Sequence, residues 1–162
     1  MSKLYYMEKA LELAKKAYKR GEVPVGAIIV KDNKIIAGAY NMREKKQNAL
    51  YHAEFLAINK ACKKLKSFRL DNCEMYVTLE PCPMCCGAII NARLKKIYFG
   101  CKDNNYGCAG SKYNFLQDKA FEHLVDCEGE VLASECSEIL KDFFVNIRKN
   151  NKKLKEKRNK KD

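Results

Sequence analysis

Two short segments hold the residue types that can do chemistry: His52-Ala53-Glu54 and Pro81-Cys82-Pro83-Met84-Cys85. Thiolate sulfur and neutral imidazole are ligands of tetrahedral zinc, and a catalytic zinc keeps three protein ligands with the fourth position open to water. His52, Cys82 and Cys85 meet that count, whereas a structural site would want a fourth ligand. The other histidine, His123, lies far downstream in a polar segment and reads as a surface or hydrogen-bonded residue. Cys86 adjoins Cys85, but neighbours on a helix point about 100° apart, so the pair is not expected to share one ion. Pro83 suits the first turn of a helix. Cys82 and Cys85 then sit at a helix N-terminus, where unpaired N–H groups and the positive end of the dipole favour thiolates.

Glu54 lies two residues from the candidate ligand His52, close enough to reach a water on the ion without binding the ion itself. Zinc can lower the pKa of that water to about 7. A carboxylate beside it can take the proton and pass it to a ring nitrogen, then to a departing amine. The products are ammonia and a base whose exocyclic amine has become a carbonyl. Taken alone, His-x-Glu and Cys-x-x-Cys are weak signals, each more often structural than catalytic. In this order and at two expected helix starts, they form the signature of the zinc deaminases that act on nucleobases.

Several elements must hold these residues in place. Leu4, Met7, Leu11, Ala14 and Tyr18 recur at three- and four-residue spacing behind Ser2, a plausible N-cap, and predict a first helix ending near Gly21. The tyrosines in it, Tyr5, Tyr6 and Tyr18, read as packing or dimer contacts rather than base stackers. A β-branched run at 23–30, a turn at Asp32-Asn33 and a return over 34–40 predict a hairpin. Residues 42–50 read as a loop and 52–65 as a second helix. Then come a strand at 73–79, a helix from Pro83 to about Arg93, a strand at 96–100, a loop at 103–110 and a late helix at 134–148. This alternation predicts one α/β domain over 1–149, a central sheet with helices on its faces. No internal repeat or second domain is visible.

The chain has 162 residues, enough for one domain burying about two-thirds of its unfolded surface. Its net charge of +12 is uneven, with nine Lys/Arg against two acids from Arg148 onward. Residues 150–162 are too charged to bury anything and are expected to be a disordered basic tail, either a grip on phosphate or a solvated appendage. Nine cysteines, an odd number and several of them inside apolar runs, read as reduced thiols rather than a disulfide framework. No apolar run approaches the ~20 residues of a membrane helix. The N-terminus carries no signal-peptide pattern, so a cytoplasmic protein is expected.

Around these motifs the chain resembles the cytidine deaminase superfamily, and within it the bacterial tRNA-specific adenosine deaminases. The resemblance rests on residues 22–27, His52-Ala53-Glu54, the run from Tyr76 to Cys85, Phe99–Asp103, Gly107–Ser111, Glu135-Cys136 and Asp142-Phe143-Phe144. It covers about residues 3 to 149. It implies a three-layer α/β/α sandwich with a five-stranded mixed sheet, one zinc per subunit, and usually a homodimer. The implied reaction converts adenosine to inosine at the wobble position (34) of a tRNA anticodon, with an arginine tRNA favoured. It further implies that Asn41 bonds the adenine ring and that Val25 and Ala53 line the substrate pocket. Lys102, Asp103 and Lys112, with Phe144 and Arg148 on the last helix, match regions expected to cradle the anticodon loop. One departure stands out: Ala49-Leu50-Tyr51 precedes His52 where the family usually has Pro-Thr-Ala. The ligands are untouched, but the loop feeding the pocket differs, and Tyr51 there offers either a stacking surface or packing.

Two other functions fit parts of the pattern. A small-molecule deaminase of guanine, cytosine or cytidine would use the same metal chemistry but needs no polyanion site, and the basic last helix argues against it. A non-catalytic RNA-binding subunit could keep a structural zinc, but such a protein has no need of the proton shuttle that Glu54 supplies.

Overall fold

The computed structural model describes residues 1–160. Helix α1 spans Lys3–Lys19, and the Ser2 hydroxyl accepts the Tyr5 N–H, the expected cap. Strands β1 (Gly26–Lys31) and β2 (Lys34–Tyr40) form the predicted antiparallel hairpin. Asp32 and Asn33 both take positive φ in the turn, the backbone that a tight hairpin demands. Next come α2 (Ala53–Leu65), β3 (Glu74–Leu79), α3 (Pro83–Asn91) and β4 (Lys96–Cys101). A single 3-10 turn at Phe115–Gln117 leads to β5 (Asp126–Glu128), and α4 closes the chain over Ala133–Asn159.

The sheet order is β2-β1-β3-β4-β5. The pairs β1–β2 and β1–β3 are antiparallel, while β3–β4 and β4–β5 are parallel, which makes the five-stranded mixed sheet. Successive side chains leave a strand on opposite faces, and β1 and β3 use this fully. Ala27, Ile29, Met75 and Val77 join the core under α2 and α3. Ile28, Val30 and Tyr76 join the core under α1 and α4, where Tyr6 lies against Tyr76 and Tyr76 stacks on Tyr98 of β4. Gly100 leaves room for α4 to pack tightly on β4: a Cβ there would meet the Cys136 Sγ at 2.3 Å.

Two features differ from the sequence-based expectation. Strand β5 has three residues, too short to carry an alternation pattern of its own. The second is α4, which does not stop at Arg148: residues 150–159, expected to be disordered, continue the helix with every side chain exposed. No Gly or Pro interrupts 133–159. Adding residues to a formed helix costs far less than starting one, so propagation needs no burial. Residues 161–162 of the expected tail lie outside the described residues. Among those residues no helix is long and apolar enough to cross a membrane.

Candidate active site

The parallel half of the sheet sets the site. Ligands of open α/β sheets collect beyond the carboxyl ends of the strands, where helix N-termini open onto a crevice. Here β3 ends at Leu79, and the chain turns through Glu80 and Pro81 into α3. Cys82 is the N-cap of α3, Pro83 is its first residue, and Cys85 lies buried in its first turn. His52 is the N-cap of α2. The N-termini of two helices therefore meet here, with the side chains of their N-cap residues close together.

The His52 Nδ1 stands 3.6 Å from the Cys82 Sγ and 3.7 Å from the Cys85 Sγ. Tetrahedral zinc bound at about 2.3 Å to sulfur and 2.0 Å to nitrogen puts such ligand atoms about 3.5 Å apart. The spacing therefore fits the ion, and among the described residues no further His, Cys, Asp or Glu joins the group. The protons of the site support the same fit. The hydrogen bond from Cys85 and the nearby His52 hold the Cys82 thiol down to about 4, while Cys85 is pushed up by giving that bond and by burial. His52 is raised chiefly by its bond to Cys82. Three groups competing for protons at this range form a site that a divalent cation would relieve. Cys86 points into the core beneath α3, away from the group, as the helical offset predicts.

Glu54, in the first turn of α2, is buried and lines a cavity of about 580 Å³. Burial pushes its carboxyl up to about 7, with Cys82 adding to the effect and His52 opposing it. The volume lies within the ~300–1,000 Å³ usual for small-ligand pockets. His52, Cys82, Val25, Ala53 and Asn41 line the same cavity, so the structure brings together the residues singled out for metal, proton and base. Asn41 is buried, its Nδ2 donating to the Val23 carbonyl and its Oδ1 accepting the Arg43 N–H. An amide has two donors and two acceptor positions, so one of each remains for a ligand.

Of the residues assigned to an RNA cradle, Asp103 lines this cavity. Lys102, Asp103, Phe144 and Arg148 line an adjoining groove between α4 and the 102–106 loop. Lys112 is exposed and stands outside both walls, as does half-buried Tyr51. Asp103 has local work as well, its carboxylate accepting the N–H groups of Asn105 and Tyr106. His123 is hydrogen-bonded to the Leu94 carbonyl at 2.7 Å, away from the site.

Sequence reasoning missed two buried carboxylates that hold the rims of the cavity. Glu80 accepts the N–H groups of Asp103, Ala109 and Ser111 at 2.9–3.0 Å, and the Ser111 hydroxyl as well. Glu22 accepts the N–H groups of Glu44 and Lys45. Each ties down one loop, and both loops contribute to the cavity wall. For Glu80 the available signal was position, directly between an apolar strand and the Pro81-Cys82 turn; Glu22, between α1 and β1, offered no such signal.

An α/β/α sandwich carrying a His-Cys-Cys group and a buried carboxylate at its strand ends defines a cytidine-deaminase-like deaminase. The MafB19-like deaminase family model matches residues 1–148. The tRNA-specific adenosine deaminase of Bacillus subtilis (strain 168) is 46% identical over 147 residues, 91% of this chain and 91% of that protein. A solved structure from work on A-to-I editing by tRNA:A34 deaminases superposes with a TM-score of 0.81 at 38% identity, covering 84% of this chain and 99% of that one. The guanine deaminase of Bacillus subtilis is less similar in shape, with a TM-score of 0.62 at 34% identity over 78% of this chain and 83% of its own. The chain belongs to the MafB19-like deaminases and, among them, to the family of tRNA-specific adenosine deaminases.

Proposed function

We propose that His52, Cys82 and Cys85 hold one zinc ion per chain and that Glu54 is the proton carrier of the reaction. The reaction is the hydrolytic conversion of adenosine to inosine at the wobble position of a tRNA anticodon, with release of ammonia. Zinc held there would supply a water activated to hydroxide near neutral pH. The Glu54 carboxylate takes a proton from the attacking water and delivers it to N1 of the adenine as the C6–O bond forms. Glu54 then takes the proton left on the new C6 hydroxyl and delivers it to the exocyclic nitrogen, so that the C6–N bond breaks, the C6 carbonyl forms and ammonia leaves. Burial suits Glu54 to this work, because a carboxyl pushed up to about 7 can both accept and give a proton near neutral pH. Asn41 offers its remaining donor and acceptor to the adenine ring, and Val25 and Ala53 supply apolar walls.

The observation that carries this reading is the triangle of His52, Cys82 and Cys85 beside a cavity that His52, Cys82 and the buried Glu54 line. The further assignments to an arginine tRNA and a homodimer rest on the family resemblance alone, and the cytoplasmic location is the expectation raised by the sequence pattern. The test is inosine formation at position 34 of an arginine tRNA by the intact chain and by Glu54→Ala. The intact chain should convert it, and the variant should lose at least about 10²–10⁴-fold in rate while keeping one zinc per chain. The likeness to a guanine deaminase makes free guanine the control substrate. Ammonia release from guanine, with none from tRNA, would overturn the reading.

A further inference from the structure

The family match ends at residue 148, yet α4 runs on to Asn159. Residues 149–160 hold seven Lys/Arg and one acid, Glu156. All of their side chains are exposed, and none forms an ion pair among the described residues. At 1.5 Å per residue this stretch projects about 16 Å beyond Arg148. It is also joined to the site. The groove beside the catalytic cavity is walled on the α4 side by Lys141, Phe144 and Arg148, and on the other by Tyr106, which lines the cavity too.

Residues stack on one helix face when their spacings approach multiples of 3.6. Lys141, Arg148, Lys152 and Lys155 follow one another at intervals of seven, four and three. They therefore form a basic row that begins on the groove wall and continues along the extension. Lys153 and Lys157 lie on a different face of the same helix. The extension holds one large apolar residue, Leu154, so it has no apolar face to enter a membrane or a hydrophobic protein groove. A row of exposed cations leading out of a site that takes a nucleic-acid loop suits a phosphate backbone.

We propose that the helical extension is a phosphate-tracking arm. Lys152 and Lys155 would prolong the row of Lys141 and Arg148 and grip the tRNA backbone flanking the loop whose base enters the cavity. This deepens the function proposed above and rests on it.

Two double charge reversals of equal size test the arm, K152E/K155E on the groove-side row and K153E/K157E on the other face. Glutamate keeps helix propensity, and circular dichroism of each protein checks that the helix is retained. Binding is measured on chains also carrying Glu54→Ala, with unmodified arginine tRNA over a range of salt, so that the substrate is not consumed. The groove-side pair should weaken binding at least about tenfold at physiological salt and make the slope of log Kd against log salt shallower by about 1.5. The other pair should change the affinity less than about threefold. Equal effects from the two pairs, or none from either, would overturn the arm. Inosine formation by the unsubstituted chain is read separately. If that chain makes none from tRNA, the proposed function fails rather than the arm.

Discussion

At the residue scale the site depends on groups that tie down the walls of its cavity. Glu80 is a fully buried carboxylate whose oxygens gather three backbone N–H groups and one hydroxyl from the loop after β4. Each buried donor left without a partner costs about 1–3 kcal/mol. Glu80→Ala should therefore lower stability by at least ~3 kcal/mol and free the amides of Asp103, Ala109 and Ser111 to exchange, as hydrogen exchange by NMR would show. Gly107 belongs to the same arrangement, because a Cβ there would meet the Glu80 carboxyl at 2.5 Å. Gly107→Ala should displace this carboxylate and cost about 1–3 kcal/mol in chemical denaturation. Full protection of the loop amides in either variant would contradict the role given to Glu80.

At the element scale the weak point is β5, three residues on the edge of the sheet. Its Glu128 pairs with Lys3 from the start of α1 and with Lys96 of β4. Those two ammonium groups hold the Glu128 carboxyl below the usual carboxylate range. The native state thus binds this proton less readily than the unfolded chain does. Its stabilisation is present above the ordinary carboxylate pKa and is lost as pH falls through the lowered native value. The pairs are exposed, so the amount is at most about 1 kcal/mol. Glu128→Gln should remove that share at neutral pH and flatten the acid limb of the stability curve. An unchanged limb would mean that the edge is held by its backbone bonds alone.

At the scale of the whole molecule, the site joins parts of the chain that share no local structure. His52 caps α2, Cys82 and Cys85 open α3, and the groove beside them is closed by α4. A metal bound by native residues and not by the unfolded chain stabilises by mass action. Chelation should therefore lower the thermal midpoint, and adding back one equivalent of zinc should restore it. Elemental analysis should give one ion per chain. A melting curve indifferent to chelator would separate the fold from the metal.

The candidate metal ligands and the proposed proton carrier stand out in the sequence because their chemistry depends on residue type and on short spacing: His-x-Glu and Cys-x-x-Cys at two helix starts. The hairpin and the first three helices were legible for the same reason, since periodicity and turn residues are local. What the sequence could not express is which distant segments meet. Only the folded sheet brings the two helix N-termini within coordinating distance and turns Glu22 and Glu80 inward as ties for the two rims. The tertiary structure also extends the basic end into a helix, where composition had argued for disorder. Composition reports the absence of burial, but helix propagation depends on the turn already formed by α4 against the sheet.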